Sequence, residues 1–262
     1  MANRSHEKHE NTKLTKKTLG TLRVFRAFVC FVGMLTVVEA QAPQPKKPPV
    51  AKQRSGLFAP LDLGLLDAPD REQWQHPDQI MDALQIADGS VVGDLGAGGG
   101  WFTLRLARRV GPRGRVYAED IQPQMLERIE RLVTREGPAN VVTVLGTPTD
   151  PRLPTSVDAA LIVDSYHEME LENGERRDPV ALLKNVAAFL TPAGRLGIVD
   201  FNPGGGGPGP APGERPDPRA IVRACGAAGL QLIRREEVPP FQFLLIFGRA
   251  NATAQTLRGG VF

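Results

Sequence analysis

The hydrophobic positions of this chain change period several times between residues 74 and 249. Val91–Leu95 (VVGDL) is a compact apolar run, long enough for a buried strand and too short for a helix. Trp101–Val110 (WFTLRLARRV) follows, with Phe102, Leu106 and Val110 four apart on one helical face. GPRG breaks that helix, and Val116–Ile121 reads as a second strand. Met125, Ile129, Leu132 and Val133 then recur at helical spacing. Asn140–Gly146 and Val157–Tyr166 read as the third and fourth strands. Asp178–Leu190 is a helix entered through an acid–proline pair, and Gly194–Phe201 is a fifth strand. A helix opening at Pro216 is stopped by Gly229, and two last strands lie about the Pro239-Pro240 turn. Ahead of all this, Trp74–Ile86 is helical in part, with Ile80, Leu84 and Ala87 on one face.

Strand and helix in alternation predict an α/β fold, a parallel sheet with helices on both faces. Two closing strands with no helix between them predict an antiparallel hairpin at one edge. Pro203–Pro216 (PGGGGPGPAPGERP) reads as a flexible insertion directly after the fifth strand. Ligands bind at the carboxyl ends of such strands, so the insertion is either a lid or a tolerated surface loop.

The first forty residues follow a different pattern. Ala27–Val38 (AFVCFVGMLTVV) carries no charge and no proline, after a basic stretch and before EAQAP. As a helix it would span roughly 18 Å against the ~30 Å of a hydrocarbon core. Residues 1–40 therefore read as a secretory signal, cleaved after Ala40, which implies a secreted or periplasmic protein. The alternative is an uncleaved membrane anchor, lengthened by snorkelling Arg23 and Arg26. Residues 41–56, rich in Pro and Lys, are a stiff spacer. The remaining domain is 57–262.

Charge changes the picture once this tail is set aside. The chain carries 32 basic and 29 acidic residues, and the tail holds seven and three of them, leaving the body at −1. A near-neutral body has no electrostatic footprint for nucleic acid. Two cysteines, Cys30 and Cys225, exclude a disulfide framework. Four histidines, two of them in the tail, with no paired ligand spacing, give no support for a metal site.

The chemistry concentrates at Asp94-Leu95-Gly96-Ala97-Gly98-Gly99-Gly100. The dinucleotide spacing G-x-G-x-x-G is not met from Gly96 or from Gly98, and no Lys-Ser or Lys-Thr pair follows as in a P-loop. The acid ahead of the glycines would repel a phosphate. A carboxylate beside bare backbone suits a ligand bearing a cation or hydrogen-bond donors.

From roughly Trp74 to Ala250 the chain resembles a class I S-adenosylmethionine-dependent methyltransferase. The resemblance implies a Rossmann-like, seven-stranded, mostly parallel sheet with a C-terminal antiparallel hairpin and helices on both faces. It implies S-adenosylmethionine as cofactor, with Asp94, Gly96, Ala97, Gly98 and Gly100 around its methionine part. Of the two acids ending the second strand, Glu119 and Asp120, the run YAEDIQPQML aligns Asp120 with the ribose-binding position, followed by Ile121. Residues Gly146–Asp150 would flank the adenine, and Asp164 would border the donor methyl.

Acceptor chemistry is carried by Asp164–Met169 (DSYHEM). His167 is the candidate base, expected to titrate within a unit or two of its ordinary ~6.5. Tyr166 would wall the methyl or donate a hydrogen bond, and Glu168 would orient the histidine. Family members that methylate amino groups often carry two prolines here, and DSYH has none. Trp74 with His76, Trp101, and Phe241-Gln242-Phe243 are candidates for an acceptor wall. A small-molecule or lipid acceptor fits this composition. The competing readings are a dinucleotide-dependent oxidoreductase, which Asp94 disfavours, and a non-catalytic binding module of the same fold.

Overall fold

The computed structural model describes residues 68–250 apart from 173, 174 and 177. The expected leader at 1–40, the spacer at 41–56 and the start of the expected domain at residue 57 lie outside the described residues.

Two short helices open the described chain, α1 (Arg71–Gln75) and α2 (Pro77–Ala83). His76 separates them, with a left-handed φ of 47°. Then come β1 (Val91–Leu95), α3 (Trp101–Val110), β2 (Arg115–Asp120), α4 (Pro123–Glu136), β3 (Val141–Leu145) and β4 (Val157–Val163). A single turn, α5 (Tyr166–Met169), leads to a minimal hairpin of β5 (Leu171–Glu172) and β6 (Glu175–Arg176). The chain closes with α6 (Val180–Phe189), β7 (Leu190–Phe201), α7 (Pro218–Ala227), β8 (Leu230–Val238) and β9 (Gln242–Arg249).

Seven strands form one sheet in the order β3-β2-β1-β4-β7-β9-β8. The first five are parallel, and β9 pairs antiparallel with both β7 and β8. The chain places β2 and β3 to one side of β1 and β4 and β7 to the other. The reversal between β1 and β4 opens a crevice at their carboxyl ends, where such sheets bind ligands.

The apolar runs are continuous because both sheet faces are covered. Along β4, Ala160 and Ile162 face a layer with Leu183, Val186 and Ile221, while Ala159, Leu161 and Val163 face one with Ile80, Phe102 and Leu106. In β9, Phe243, Leu245 and Phe247 alternate with Leu244 and Ile246 across the same two layers.

Two boundaries differ from the sequence reading. β4 ends at Val163 rather than Tyr166, because Asp164 takes a φ of 56° and turns the chain into α5. β7 begins at Leu190, four residues early, because Leu190 pairs with Val157 across a bulge before the regular ladder starts at Ala159–Arg195. The glycine-rich segment after β7 is tied to the body from inside. Arg215 is buried, and its guanidinium donates to the carbonyls of Pro210, Asn202 and Gly205. A Cβ on Gly207 would lie 2.5 Å from the Phe241 ring, and one on Gly209 would strike Phe201. Glycine here permits a close backbone approach to aromatic rings, which corrects the reading of a merely flexible insertion.

Candidate active site

The glycine loop joins β1 to α3 at the crevice. Gly96, Gly98 and Gly100 have φ of 68°, 53° and 85°, all in the left-handed region. Gly96 also needs its missing side chain, since a Cβ there would sit 2.7 Å from Ser165 Oγ and 3.1 Å from Met169 Cε. The loop after β1 and the segment after β4 are thus in direct contact.

Three carboxylates underlie this loop. Asp94 is buried and accepts a 2.6 Å hydrogen bond from Thr103 Oγ1 on α3. Asp120 accepts from the Gly98 N–H at 2.9 Å and the Gln122 N–H at 2.9 Å. Glu119 points to the other side of β2, yet it also reaches the loop, accepting from the Gly96 N–H at 3.3 Å. The Ala97 N–H donates to the Glu119 carbonyl at 2.9 Å. Burial pushes Asp94 up to about 6. Burial, followed by the charge of Asp120, pushes Glu119 up to about 8. Asp120 is raised by burial, offset in part by backbone donors from Gln122, Gly98 and Ile121. After β3, Thr147 and Asp150 close a tight turn that brings the charge of Asp150 to bear on Glu119.

Beside the loop, α1 and the ends of β4, β7 and β9 bring together a second polar cluster. Asp164 is held by Arg71, at 2.9 Å, and by the Gln242 amide. Gln242 accepts from Gln75 at 2.7 Å, and Gln75 accepts from Arg71 at 3.0 Å. Burial raises the Asp164 pKa, and Arg71 opposes it. The Arg71 guanidinium also lies 4.4 Å from the Trp101 ring centroid, with Arg105 at 3.4 Å. Trp74 meets Phe201 at 5.9 Å and Phe241 at 6.4 Å. Trp74 and Phe241 therefore come together, whereas Phe243 is wholly in the core.

His167 is oriented by Asp200 at the end of β7, not by Glu168. Its Nδ1 lies 3.1 Å from Asp200 Oδ2, which also accepts the His167 backbone N–H at 3.2 Å. Glu168 Oε1 is 3.9 Å from Nε2, outside hydrogen-bonding reach. Burial works against the charge of His167. The charge and hydrogen bond of Asp200 outweigh it, and His167 is pushed up to about 9 rather than staying near its ordinary value. Tyr166 is fully buried in the layer beneath α6 and α7, and burial raises its hydroxyl pKa further. The structure puts Tyr166 in the core.

Thr103, Arg71 and Asp200 are further candidate site residues that the sequence reading had not assigned, and nothing in the sequence pattern marked Arg71 or Asp200. Glu119 and Gln242 had been named, Glu119 as the second-choice acid of β2 and Gln242 only within an acceptor wall, not as a partner of Asp164.

Residues 92–194 match the family model described as a methyltransferase domain. A SAM-dependent methyltransferase from Aquifex aeolicus superposes with a TM-score of 0.66 at 25% identity, over 73% of this chain and 98% of that one. The fold is that of a class I S-adenosylmethionine-dependent methyltransferase. An uncharacterized methyltransferase of Mycobacterium tuberculosis is 35% identical over 133 residues, 50% of this chain and 48% of its own length. An arsenite methyltransferase of Halobacterium salinarum is 30% identical over 115 residues, 44% and 28% of the two chains. This chain thus spans about half the length of the mycobacterial relative, and less of the archaeal one.

S-adenosylmethionine is the cofactor of this fold, and the residues present fit it. Asp94, Glu119 and Asp120 form a cluster of buried carboxylates whose pKa values are raised chiefly by burial, so that negative charge here is poorly solvated. A ligand carrying a sulfonium and an ammonium relieves that charge, and one carrying a pyrophosphate adds to it. Asp120 and the backbone of the glycine loop would hold it, with ribose hydroxyls donating to the carboxylate. When bound, it supplies an electrophilic methyl group.

Proposed function

We propose that the protein transfers a methyl group from S-adenosylmethionine to a small-molecule or lipid acceptor. One observation carries this reading. The cofactor loop at Gly96 touches residues 165–169, so the segment holding His167 borders the place where a cofactor would lie. An aromatic cluster of Trp74, Phe201 and Phe241 supports an organic acceptor, and the near-neutral body argues against nucleic acid. The N-terminal apolar run supports export or membrane attachment.

His167 is held by Asp200 on the segment that borders the proposed cofactor position. Asp164 and Arg71 neutralise each other and fix α1 over the strand ends. The test is calorimetric titration of the full chain with S-adenosylmethionine, its demethylated product and NAD. We expect micromolar affinity for the first two, on the order of −8 kcal/mol. Gly98→Val should abolish both while circular dichroism stays native, because a β-branched side chain is strained at a φ of 53°. Tight NAD binding with silent S-adenosylmethionine would reverse the assignment in favour of a dinucleotide enzyme.

A further inference from the structure

A groove of about 530 Å³ runs between α3 and α4. It starts at Gly99 and leads away from the crevice, because both helices run back from the carboxyl ends of the parallel strands they connect. At its far end Arg108 meets Glu136 at 3.5 Å, in the last turns of the two helices. Its charge is opposite to that of the carboxylates beneath the glycine loop. Arg105 and Arg108 of α3 and Arg128, Arg131 and Arg135 of α4 line it, against a single carboxylate, Glu136. Positions 105 and 108 are three apart, and 128, 131 and 135 are three and four apart, so each set shares one helical face. Leu104 and Leu132 add apolar lining, which excludes water and strengthens charge interactions.

The acids already present leave these guanidiniums with donors to spare, since each carries five N–H groups. Glu136 is shared between Arg108, at 3.5 Å, and Arg135, at 3.3 Å. Arg131 lies 3.7 Å from Glu127, beyond direct hydrogen-bonding distance. These three arginines are exposed, and exposed pairs of this kind hold weakly against a competing anion. Arg105 is more firmly placed. It donates to the Trp101 carbonyl at 3.0 Å and to Glu72 at 3.1 Å, and it stacks on the Trp101 ring.

We propose that this groove binds a soluble ligand carrying two or more linked phosphate groups. The planar guanidinium fork matches phosphate oxygens two at a time, and a phosphate can bridge forks from both helices at once. From Arg128 to Arg135 the helix rises about 10 Å, at ~1.5 Å per residue. A row of that length fits a chain of phosphates, whereas an isolated anion would engage one or two of its members. The positive charge lies in a recess between two helices on a near-neutral body, which favours a small ligand over a nucleic acid or a membrane. The proposal does not rest on methyl transfer.

The test is calorimetric titration of the full chain with sodium tripolyphosphate in magnesium-free buffer. We expect saturable one-to-one binding that weakens as salt is raised and is about tenfold or more tighter than binding of inorganic phosphate. Arg131→Gln/Arg135→Gln should weaken it by about tenfold or more, the loss of two charge-assisted contacts, and both positions are exposed, so the fold should survive. Arg219→Gln/Arg223→Gln removes two exposed arginines from α7 and should leave the affinity unchanged. The basic N-terminal stretch is a competing anion site in the same chain, and equal binding by wild type and the α4 variant would place the ligand outside the groove. That result overturns the proposal, as does silence toward tripolyphosphate, an equal loss in the α4 and α7 variants, or inorganic phosphate binding as tightly. Short single-stranded RNA or phosphatidic acid vesicles binding at lower concentration than tripolyphosphate, with that binding lost in the α4 variant, overturns the small soluble ligand in favour of a polymer or a membrane.

Discussion

Replacing Glu119 by Gln isolates an electrostatic cost built into the floor of the cofactor loop. Glu119 is 4% exposed, and its pKa rises from 4.5 to about 8. The folded chain therefore keeps a proton that the unfolded chain has already released. Its proton excess makes stability fall as pH rises from the unfolded value through the folded one. At about 1.4 kcal/mol per unit, the deficit is roughly 3 kcal/mol at pH 7 and approaches 4–5 kcal/mol well above the folded pKa. Gln keeps the length and one oxygen for the Gly96 N–H, and it cannot ionise in either state. Between about pH 5 and pH 9, the wild type should lose roughly 3–4 kcal/mol relative to Glu119→Gln. Urea unfolding of the cofactor-free full chain at a series of pH values, followed by tryptophan fluorescence, measures this difference. Saturating S-adenosylmethionine should flatten the wild-type profile, because a nearby cation favours the carboxylate. Parallel profiles for the two proteins would refute the idea that Glu119 is buried as an uncompensated acid.

Asp120→Ala should weaken S-adenosylmethionine binding by roughly 2–4 kcal/mol, the loss of charge-assisted bonds to the ligand and of the Gly98 contact; an unchanged Kd would move the ribose site elsewhere. Arg71→Met leaves Asp164 buried without its cation and should destabilise the fold by roughly 3–5 kcal/mol, part of which Asp164→Asn should restore in the double variant; a thermal shift absent from both would show that the pair is not closed in solution. N-terminal sequencing of the fractionated protein should find Gln41 first if the leader is cleaved, whereas retention of Ala27–Val38 in a membrane fraction would establish an anchor.

The sequence by itself determined most strands and the long helices and marked the glycine loop. Apolar runs such as VVGDL and VDAALIV mark strands because burial on both faces leaves no polar position to interrupt them, and helical spacing marks α3 and α4. The carboxylate and the glycines of the loop lie within seven consecutive residues, so local reading captures them together. The cluster around Asp164 and His167 could not be read this way. Asp200 meets His167 across 33 residues, Gln242 meets Asp164 across 78, and Arg71 meets Asp164 across 93. Those pairs exist because β7 lies beside β4 and the last strand, β9, inserts between β7 and β8. Strand order is set by which buried surfaces fit in three dimensions, and periodicity within one segment carries no record of it. The same limit explains Tyr166: its place in the chain puts it beside His167, but successive residues of a helical turn point about 100° apart, which sends Tyr166 into the core and His167 to Asp200.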